Sequence, residues 1–252
     1  MVDGAALAII ITSIGIAVGA LIGGVGVGGV LLAPALDITG STSVHGAIPI
    51  CMLVFVFSGL VGTAIYARRK VVSWPVLGPL SAGACPAAFA GAIALAYVPT
   101  NLVKAMIAAV VIGAGIQAVR KTGHMAAKTR TMSTHMLIVL GALVGFGSSL
   151  TGTGGPLILL PILMFAGVNV LQAVGLAQAI QIPIGIFATA SNLMMSRIDL
   201  ELGAWLTVTV VIGVYVGANF IHTQAPDKLR YWIGPALILA GAVYGGATLS
   251  MS

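Results

Sequence analysis

The stretch that decides the fold is GSSLTGTGGPLILLPIL, residues 147–163. It has four glycines and four hydroxyl side chains ahead of Pro156, and an apolar run follows. Taken alone, this pattern is typical of a phosphate-binding loop that opens a helix. The residues on both sides are strongly apolar, however, so the stretch places helix-weakening residues inside a sequence suited to lipid.

The composition of the whole chain indicates a membrane protein. Hydrophobic residues make up 59% of the 252 positions and charged residues only 6%, and the mean hydropathy is +1.14. A soluble core of this length would need a polar shell that 11 Lys and Arg and 5 Asp and Glu cannot supply. We therefore expect one membrane domain, 1–252, that is all-α, polytopic and without a sizeable extramembrane part. Its location is predicted as a membrane that the chain crosses several times.

The formal charge of +6 comes mostly from short basic clusters between apolar runs, at 67–70 and 120–130. Such clusters are typical of cytoplasmic loops and do not indicate nucleic-acid binding. Cys51 and Cys85 lie in separate apolar segments without metal-ligand spacing, so no metal and no cofactor is expected. The N-terminus lacks a basic region before its apolar run, which favours a first membrane segment over a removed signal peptide.

The two halves of the chain repeat each other. Pro34 and Pro161 are 127 positions apart, and the same offset aligns GGVLLAPAL, 28–36, with GPLILLPIL, 155–163. The glycine cluster aligns at an offset of 126, which pairs Gly26, Gly28 and Gly29 with Gly152, Gly154 and Gly155. We predict two homologous repeats, 1–122 and 123–252.

Each repeat contains five apolar segments, of which the second is short. At about a dozen residues, the short segment suits a broken or re-entrant helix. Five passes per repeat would invert the second repeat relative to the first. With the basic loops in the cytoplasm, inversion leaves nine of the eleven Lys and Arg inside, against eight with four passes. The segments are 5–22, 29–40, 43–67, 74–97, 102–119, 135–150, 156–167, 170–195, 202–222 and 229–250.

The glycines explain why a polar break would lie in the membrane. Gly152, Gly154 and Gly155 allow positive φ, and Pro156 suits the first turn of a helix. The unpaired amides and positive dipole end of that helix would then face a bound anion. Four hydroxyls would add neutral donors, and the first-repeat break at Gly26, Gly28 and Gly29 would match it without hydroxyls. The added donors are Ser148, Ser149, Thr151 and Thr153.

The glycine clusters and the serines also fit other interpretations. Residues 24–29 satisfy the dinucleotide pattern G-x-G-x-x-G, but no β-α-β context surrounds them. An intramembrane serine hydrolase using Ser148 or Ser149 with a buried histidine stays an alternative, although the G-x-S-x-G motif is missing. A transporter or channel for another small anion is a further alternative. Scattered glycines such as Gly59, Gly113 and Gly217 are expected to let helices pack closely.

The chain resembles the TauE/SafE sulfite exporter family, also called the toluene sulfonate uptake permease family. The resemblance covers nearly the whole chain and rests on GGVGVGGVLLAPAL, GFGSSLTGTGGPLILLPIL and AVGLAQAIQIPIGIFATASNLM with its SRIDL. It implies a secondary transporter, not an enzyme, that exports sulfite, sulfoacetate or other organosulfonates across the plasma membrane of a prokaryote. One departure is Val27, which interrupts what is an unbroken run of three glycines in many members.

Two polar residues occupy equivalent places after the prolines. His45 and Gln172 each follow the repeat's aligned proline by eleven positions, so the repeat would bring both toward its interface. His45 would donate to an oxyanion or carry a proton during transport, or else pack as a hydrogen-bonded histidine.

Further polar groups lie in apolar segments, where each must be satisfied internally. Gln178, Gln181 and Asn192 share one helical face, so they either line a cavity or hydrogen-bond between helices. Asp37 and Asp199 adjoin membrane edges, and we expect solvent-facing helix caps in preference to proton-coupling groups.

Overall fold

The computed structural model describes residues 4–26, 28–119, 132–195, 197–220 and 238–246, and within them it is helical without strands. A short 3₁₀ helix, Gly28–Leu31, precedes α2, and residues 238–246 form a final helical stretch. The basic cluster 120–130 and most of the segment 229–250 lie outside the described residues. The α-helices are α1 Gly4–Val25, α2 Leu32–Ile38, α3 Val44–Arg68, α4 Trp74–Ala94, α5 Thr100–Val119, α6 Thr134–Thr151, α7 Pro156–Phe165, α8 Val170–Met194 and α9 Leu200–Phe220.

Six helices are long and apolar enough to cross a membrane by length and composition: α1, α3, α4, α6, α8 and α9. The helices α2 and α7 are short, with 7 and 10 residues, and each follows a glycine-rich interruption. The prediction of an all-α polytopic membrane protein with broken helices is confirmed.

Local sequence sets where several helices begin. Ser133 Oγ accepts a hydrogen bond from the amide of Met136 at 3.3 Å before α6. Asn169 Oδ1 accepts from the amide of Leu171 at 2.9 Å before α8. Asp199 Oδ1 accepts from the amides of Glu201 and Leu202, each at 3.1 Å, and is exposed. Asp199 is therefore the solvent-facing cap that the sequence predicts.

Asp37 does not have the solvent-facing role predicted for it. Its side chain is only 13% exposed, and its Oδ2 lies 2.7 Å from Lys104 Nζ, whose side chain is 22% exposed. Tyr244 donates a hydrogen bond to the same oxygen at 2.9 Å. The prediction was wrong because α5 and the helical stretch 238–246 supply partners that lie far away in sequence.

The ion pair of Asp37 and Lys104 should stabilise the folded protein. Replacing Lys104 with Met leaves a mostly buried carboxylate without its cation, and we expect a loss of about 1–3 kcal/mol in the free energy of unfolding. Lys104→Arg keeps the charge and is the matched control. Thermal unfolding of the purified protein measures both; equal melting temperatures for the two variants would show that the pair contributes nothing.

Small residues set the closest helix contacts. A Cβ atom added at Gly19 or Gly23 of α1 would collide with the α9 backbone at Val210 or Val214, so α1 and α9 run parallel. Helices α4 and α6 also run parallel, with Gly141 against Leu80 and Gly145 against Ala84. These contacts bring helices close enough for backbone to touch backbone.

The central pair, α3 and α8, runs antiparallel. An added Cβ at Gly59 would lie 3.2 Å from Ile182 Cγ1, and one at Gly185 would lie 2.8 Å from Val56 Cγ2. Gly59 and Gly217 thus have the packing role predicted for them. At Gly113 an added Cβ meets nothing within 4 Å among the described residues, so that part of the chain shows no packing contact there.

Candidate functional site

The break between α6 and α7 is built by glycine and proline. Gly152 adopts φ +69 and caps α6, and its amide donates to Ser148 O at 2.8 Å. Gly154 and Gly155 follow with φ +73 and φ +104, and Pro156 is the first residue of α7. These are the backbone conformations that the sequence predicts at this stretch.

The break leaves backbone amides without acceptors. Thr153 N donates to Ser148 O at 3.3 Å, and the pattern resumes when Ile158 donates to Gly155 O at 3.3 Å. Between these bonds, the amides of Gly154, Gly155 and Leu157 donate to no backbone acceptor within the described residues. They lie at the positive end of α7, where partial charge favours an anion.

The four hydroxyls of the break fall into two pairs with different states. Thr151 Oγ1 donates to Gly147 O at 2.7 Å and lies 3.1 Å from Thr153 Oγ1. Because Thr151 has one hydroxyl hydrogen, Thr153 must donate to Thr151, and both threonine hydrogens are used locally. Ser148 and Ser149 are fully buried, and neither hydroxyl has a hydrogen-bond partner in the described part of the chain.

The two glycine breaks meet at one aromatic ring. An added Cβ at Gly29 would lie 2.8 Å from Phe55 Cζ, and one at Gly154 would lie 2.8 Å from Phe55 Cδ2. The Gly29 position is also 3.5 Å from Thr153 O. Phe55 of α3 is 1% exposed, so the breaks enclose it and lie next to each other.

At the first break, side chains from other helices donate hydrogen bonds to backbone carbonyls of α1. Gly26 has φ +78 after α1. Gln178 Nε2 donates to Ile22 O at 2.6 Å, and Tyr66 Oη donates to Gly23 O at 3.0 Å. Carbonyls near the end of α1 therefore receive donors from α8 and α3.

Gln178, which caps the end of α1 through its bond to Ile22 O, belongs to a chain of hydrogen bonds. Gln181 Nε2 donates to Gln178 Oε1 at 3.2 Å, and Ser58 Oγ donates to Gln181 Oε1 at 3.3 Å. All three side chains are buried. For the two glutamines, the sequence predicts either a cavity lining or hydrogen bonds between helices, and these contacts are of the second kind.

The hydrogen bonds of Gln178 should stabilise the folded protein. Gln178→Leu leaves Ile22 O without this donor and Gln181 without its acceptor, so we expect about 1–3 kcal/mol of lost stability. Gln172→Leu is the control, since Gln172 is exposed in the first turn of α8. Unfolding temperatures in detergent compare the two variants; no loss in Gln178→Leu would contradict the capping role.

The other candidates lie apart from the breaks or on the far part of α8. His45 Nε2 is 3.1 Å from Val98 O, and its side chain is half-buried at the start of α3. Because α3 and α8 run antiparallel, His45 and Gln172 lie at opposite ends of this helix pair. Asn192 is buried and donates through Nδ2 to Ala188 O at 2.9 Å.

Sequence reasoning missed Phe55, Ser58 and Tyr66 of α3. The last two are polar groups inside an apolar segment, a signal that marks residues needing internal partners. Phe55 carries no such signal, because an apolar residue in an apolar segment gives no sign that it lies between two breaks.

The site is closed in this conformation. Two open apolar grooves lie elsewhere on the surface, one lined by residues such as Met136 and Leu143 and the other by Phe57 and Val208. Neither is lined by a residue of the breaks. Ser148 and Ser149 are both 0% exposed.

A polytopic helical protein with two interrupted helices whose breaks lie next to each other has a feature that recurs in membrane transporters. The chain belongs to the family described as Sulfite exporter TauE/SafE, whose model matches residues 11–244. That family consists of membrane transporters, and the chain is a multi-pass member of it.

One similar relative is a "Probable membrane transporter protein y4hK" from Sinorhizobium fredii (strain NBRC 101917 / NGR234). It is 25% identical over 150 residues, which cover 58% of this chain and 59% of the relative. No solved structure matches the chain.

Proposed function

We propose that the protein is a secondary transporter that binds a small sulfur-containing oxyanion at the break between α6 and α7. Sulfite, sulfoacetate and other organosulfonates are the proposed substrates. The observation that carries the proposal is the pair of fully buried hydroxyls, Ser148 and Ser149, which have no partner among the described residues. They adjoin the positive end of α7.

The energetics of burial favour a ligand at this place. Each buried donor without a partner costs about 1–3 kcal/mol. An oxyanion has several acceptor oxygens and would accept from Ser148, Ser149 and the amides of Gly154 and Gly155 together. Neutral donors bind an anion without the cost of a membrane-buried cation.

We infer that the repeats 1–122 and 123–252 are inverted. The contact of Gly59 with Ile182 has an equivalent 126 positions away, where Gly185 meets Val56. The breaks behave alike, because Gly26 packs on Val174 and Gly152 on Ile48. A two-fold axis that exchanges the antiparallel α3 and α8 is perpendicular to both and so lies in the membrane plane.

This symmetry supports alternating access. The same contacts formed by either repeat would give two states of similar energy that open to opposite sides. The gradients present, and a proton gradient above all, would then set the direction of transport.

The hydroxyls favour binding over covalent catalysis. A serine nucleophile needs a general base in hydrogen-bond reach. Neither Ser148 nor Ser149 has such a partner in the described chain, and His45 bonds to Val98 O instead.

Counterflow in proteoliposomes tests the proposed function. Vesicles loaded with sulfite should accumulate labelled sulfite or sulfonate, and the panel would include thiosulfate, sulfate, sulfoacetate and taurine, with and without a pH gradient. Chloride-loaded vesicles are the control. Folded protein that exchanges none of these anions would contradict the proposal.

A further inference from the structure

Two side chains near the end of α8 each bury a polar atom that has no partner among the described residues. Thr189 and Asn192 are 7% and 0% exposed, and Thr189 Oγ1 and Asn192 Oδ1 have no hydrogen-bond partner among the described residues. The amide orientation of Asn192 is fixed, because its Nδ2 donates to Ala188 O. Oδ1 is therefore a buried acceptor that lacks a donor.

The helix register brings Asn192 to the level of the second break. Gly185 lies against Met52 and Val56 in the antiparallel pair of α3 and α8. Asn192 is seven residues further along α8, so the antiparallel pairing places it beside the part of α3 around Ile48. Ile48 itself packs on Gly152 at the end of α6, since an added Cβ there would lie 3.1 Å from Ile48 Cγ1.

The first break supports the same placement independently. At the offset of 126, Asn192 is equivalent to Tyr66 and Ser149 to Gly23. Tyr66 donates to Gly23 O at 3.0 Å, which closes the first break. Asn192 and Ser149 make no such bond, and their Oδ1 and Oγ atoms stay without partners in the described residues.

The difference between the breaks defines a ligand site at the second one. Ser148, Ser149 and the amides before α7 are donors, whereas Asn192 Oδ1 accepts only. A fully deprotonated, symmetrical oxyanion offers only acceptors and would repel Asn192 Oδ1. A ligand with its own donor would satisfy Asn192 Oδ1 as well as the donors of the break.

We propose that Asn192 accepts a hydrogen bond from the substrate, so that among the proposed anions those that carry their own donor bind most tightly. This inference rests on the proposed function. The donor is either the proton of a singly protonated sulfite or a hydroxyl next to a sulfonate. Both sources present an O–H group beside a negatively charged oxyanion.

A matched ligand pair tests the hydroxyl source. Purified full-length protein is titrated with 2-hydroxyethanesulfonate and with propanesulfonate, in which a methyl replaces the hydroxyl. The wild type should bind the hydroxylated ligand about tenfold more tightly. Asn192→Leu should reduce this ratio to about one.

A second arm tests the proton source. Sulfite should bind the wild type more tightly at pH 6 than at pH 8, relative to methanesulfonate, which carries no proton at either pH. Asn192→Leu should remove that difference. Asn192→Ala is the second variant if Asn192→Leu does not fold.

The outcomes separate this inference from the proposed function. A wild type that binds the sulfonates without preferring a donor in either arm overturns the role of Asn192 and leaves transport intact. A preference that survives in both Asn192 variants overturns it as well. A wild type that binds none of the ligands contradicts the proposed function, and this inference fails with it.

Discussion

Replacing Gly154 with alanine should reduce anion counterflow about a hundredfold while the protein still inserts into the membrane. Gly154 has φ +73, where a side chain costs roughly 1–2 kcal/mol. The added Cβ would also lie 2.8 Å from Phe55 Cδ2, a ring already enclosed by the other break at Gly29. Either the ring or the break must move, and small displacements of binding groups are expensive for function.

Counterflow and membrane yield measure this prediction together. Gly113→Ala is the matched control, because its added Cβ meets nothing within 4 Å in the part of the chain that the structure describes. Phe55→Leu in the Gly154→Ala background should restore part of the flux by removing the ring. Full flux in Gly154→Ala alone would mean that no close contact at Gly154 is needed.

Replacing both Ser148 and Ser149 with alanine should affect ligand binding and stability in opposite directions. Hydrogen bonds to a charged ligand contribute about 1.5–3 kcal/mol each, so the double variant should bind the anion at least about a hundredfold more weakly. Without ligand, the variant should be as stable as the wild type or more stable, since it no longer buries two unpaired hydroxyls.

Isothermal titration and thermal unfolding give the two readings. Ser13→Ala is the control, because the exposed Ser13 bonds only to Ile9 O within its own helix in the described contacts. If the double variant loses stability without ligand and keeps its affinity, the serines have a structural role and the site lies elsewhere.

The breaks could be predicted from sequence because their causes are local. Gly152, Gly154 and Gly155 take positive φ, and Pro156 starts a helix, whatever surrounds them. The helical caps at Asn169 and Asp199 depend on amides two or three residues away. Interactions between residues this close in the chain can be predicted from the sequence.

The states of the polar side chains could not be predicted in the same way. Asp37 pairs with Lys104 and Tyr244, the latter 207 positions away, and only tertiary packing brings these groups together. Gln178 reaches Ile22 O across 156 positions. The sequence gives no reason to distinguish the four hydroxyls of the break. In the structure, Thr151 and Thr153 form hydrogen bonds within the break, whereas Ser148 and Ser149 have no partner among the described residues.

Crystals of the protein soaked with selenite, an anomalous scatterer that resembles sulfite, test the central claim most directly. We expect an anomalous peak for selenium, with the selenite oxygens about 3 Å from Ser148 Oγ, Ser149 Oγ and the amides of Gly154 and Gly155. Selenium bound only at basic loops, with the break between α6 and α7 empty, would contradict it.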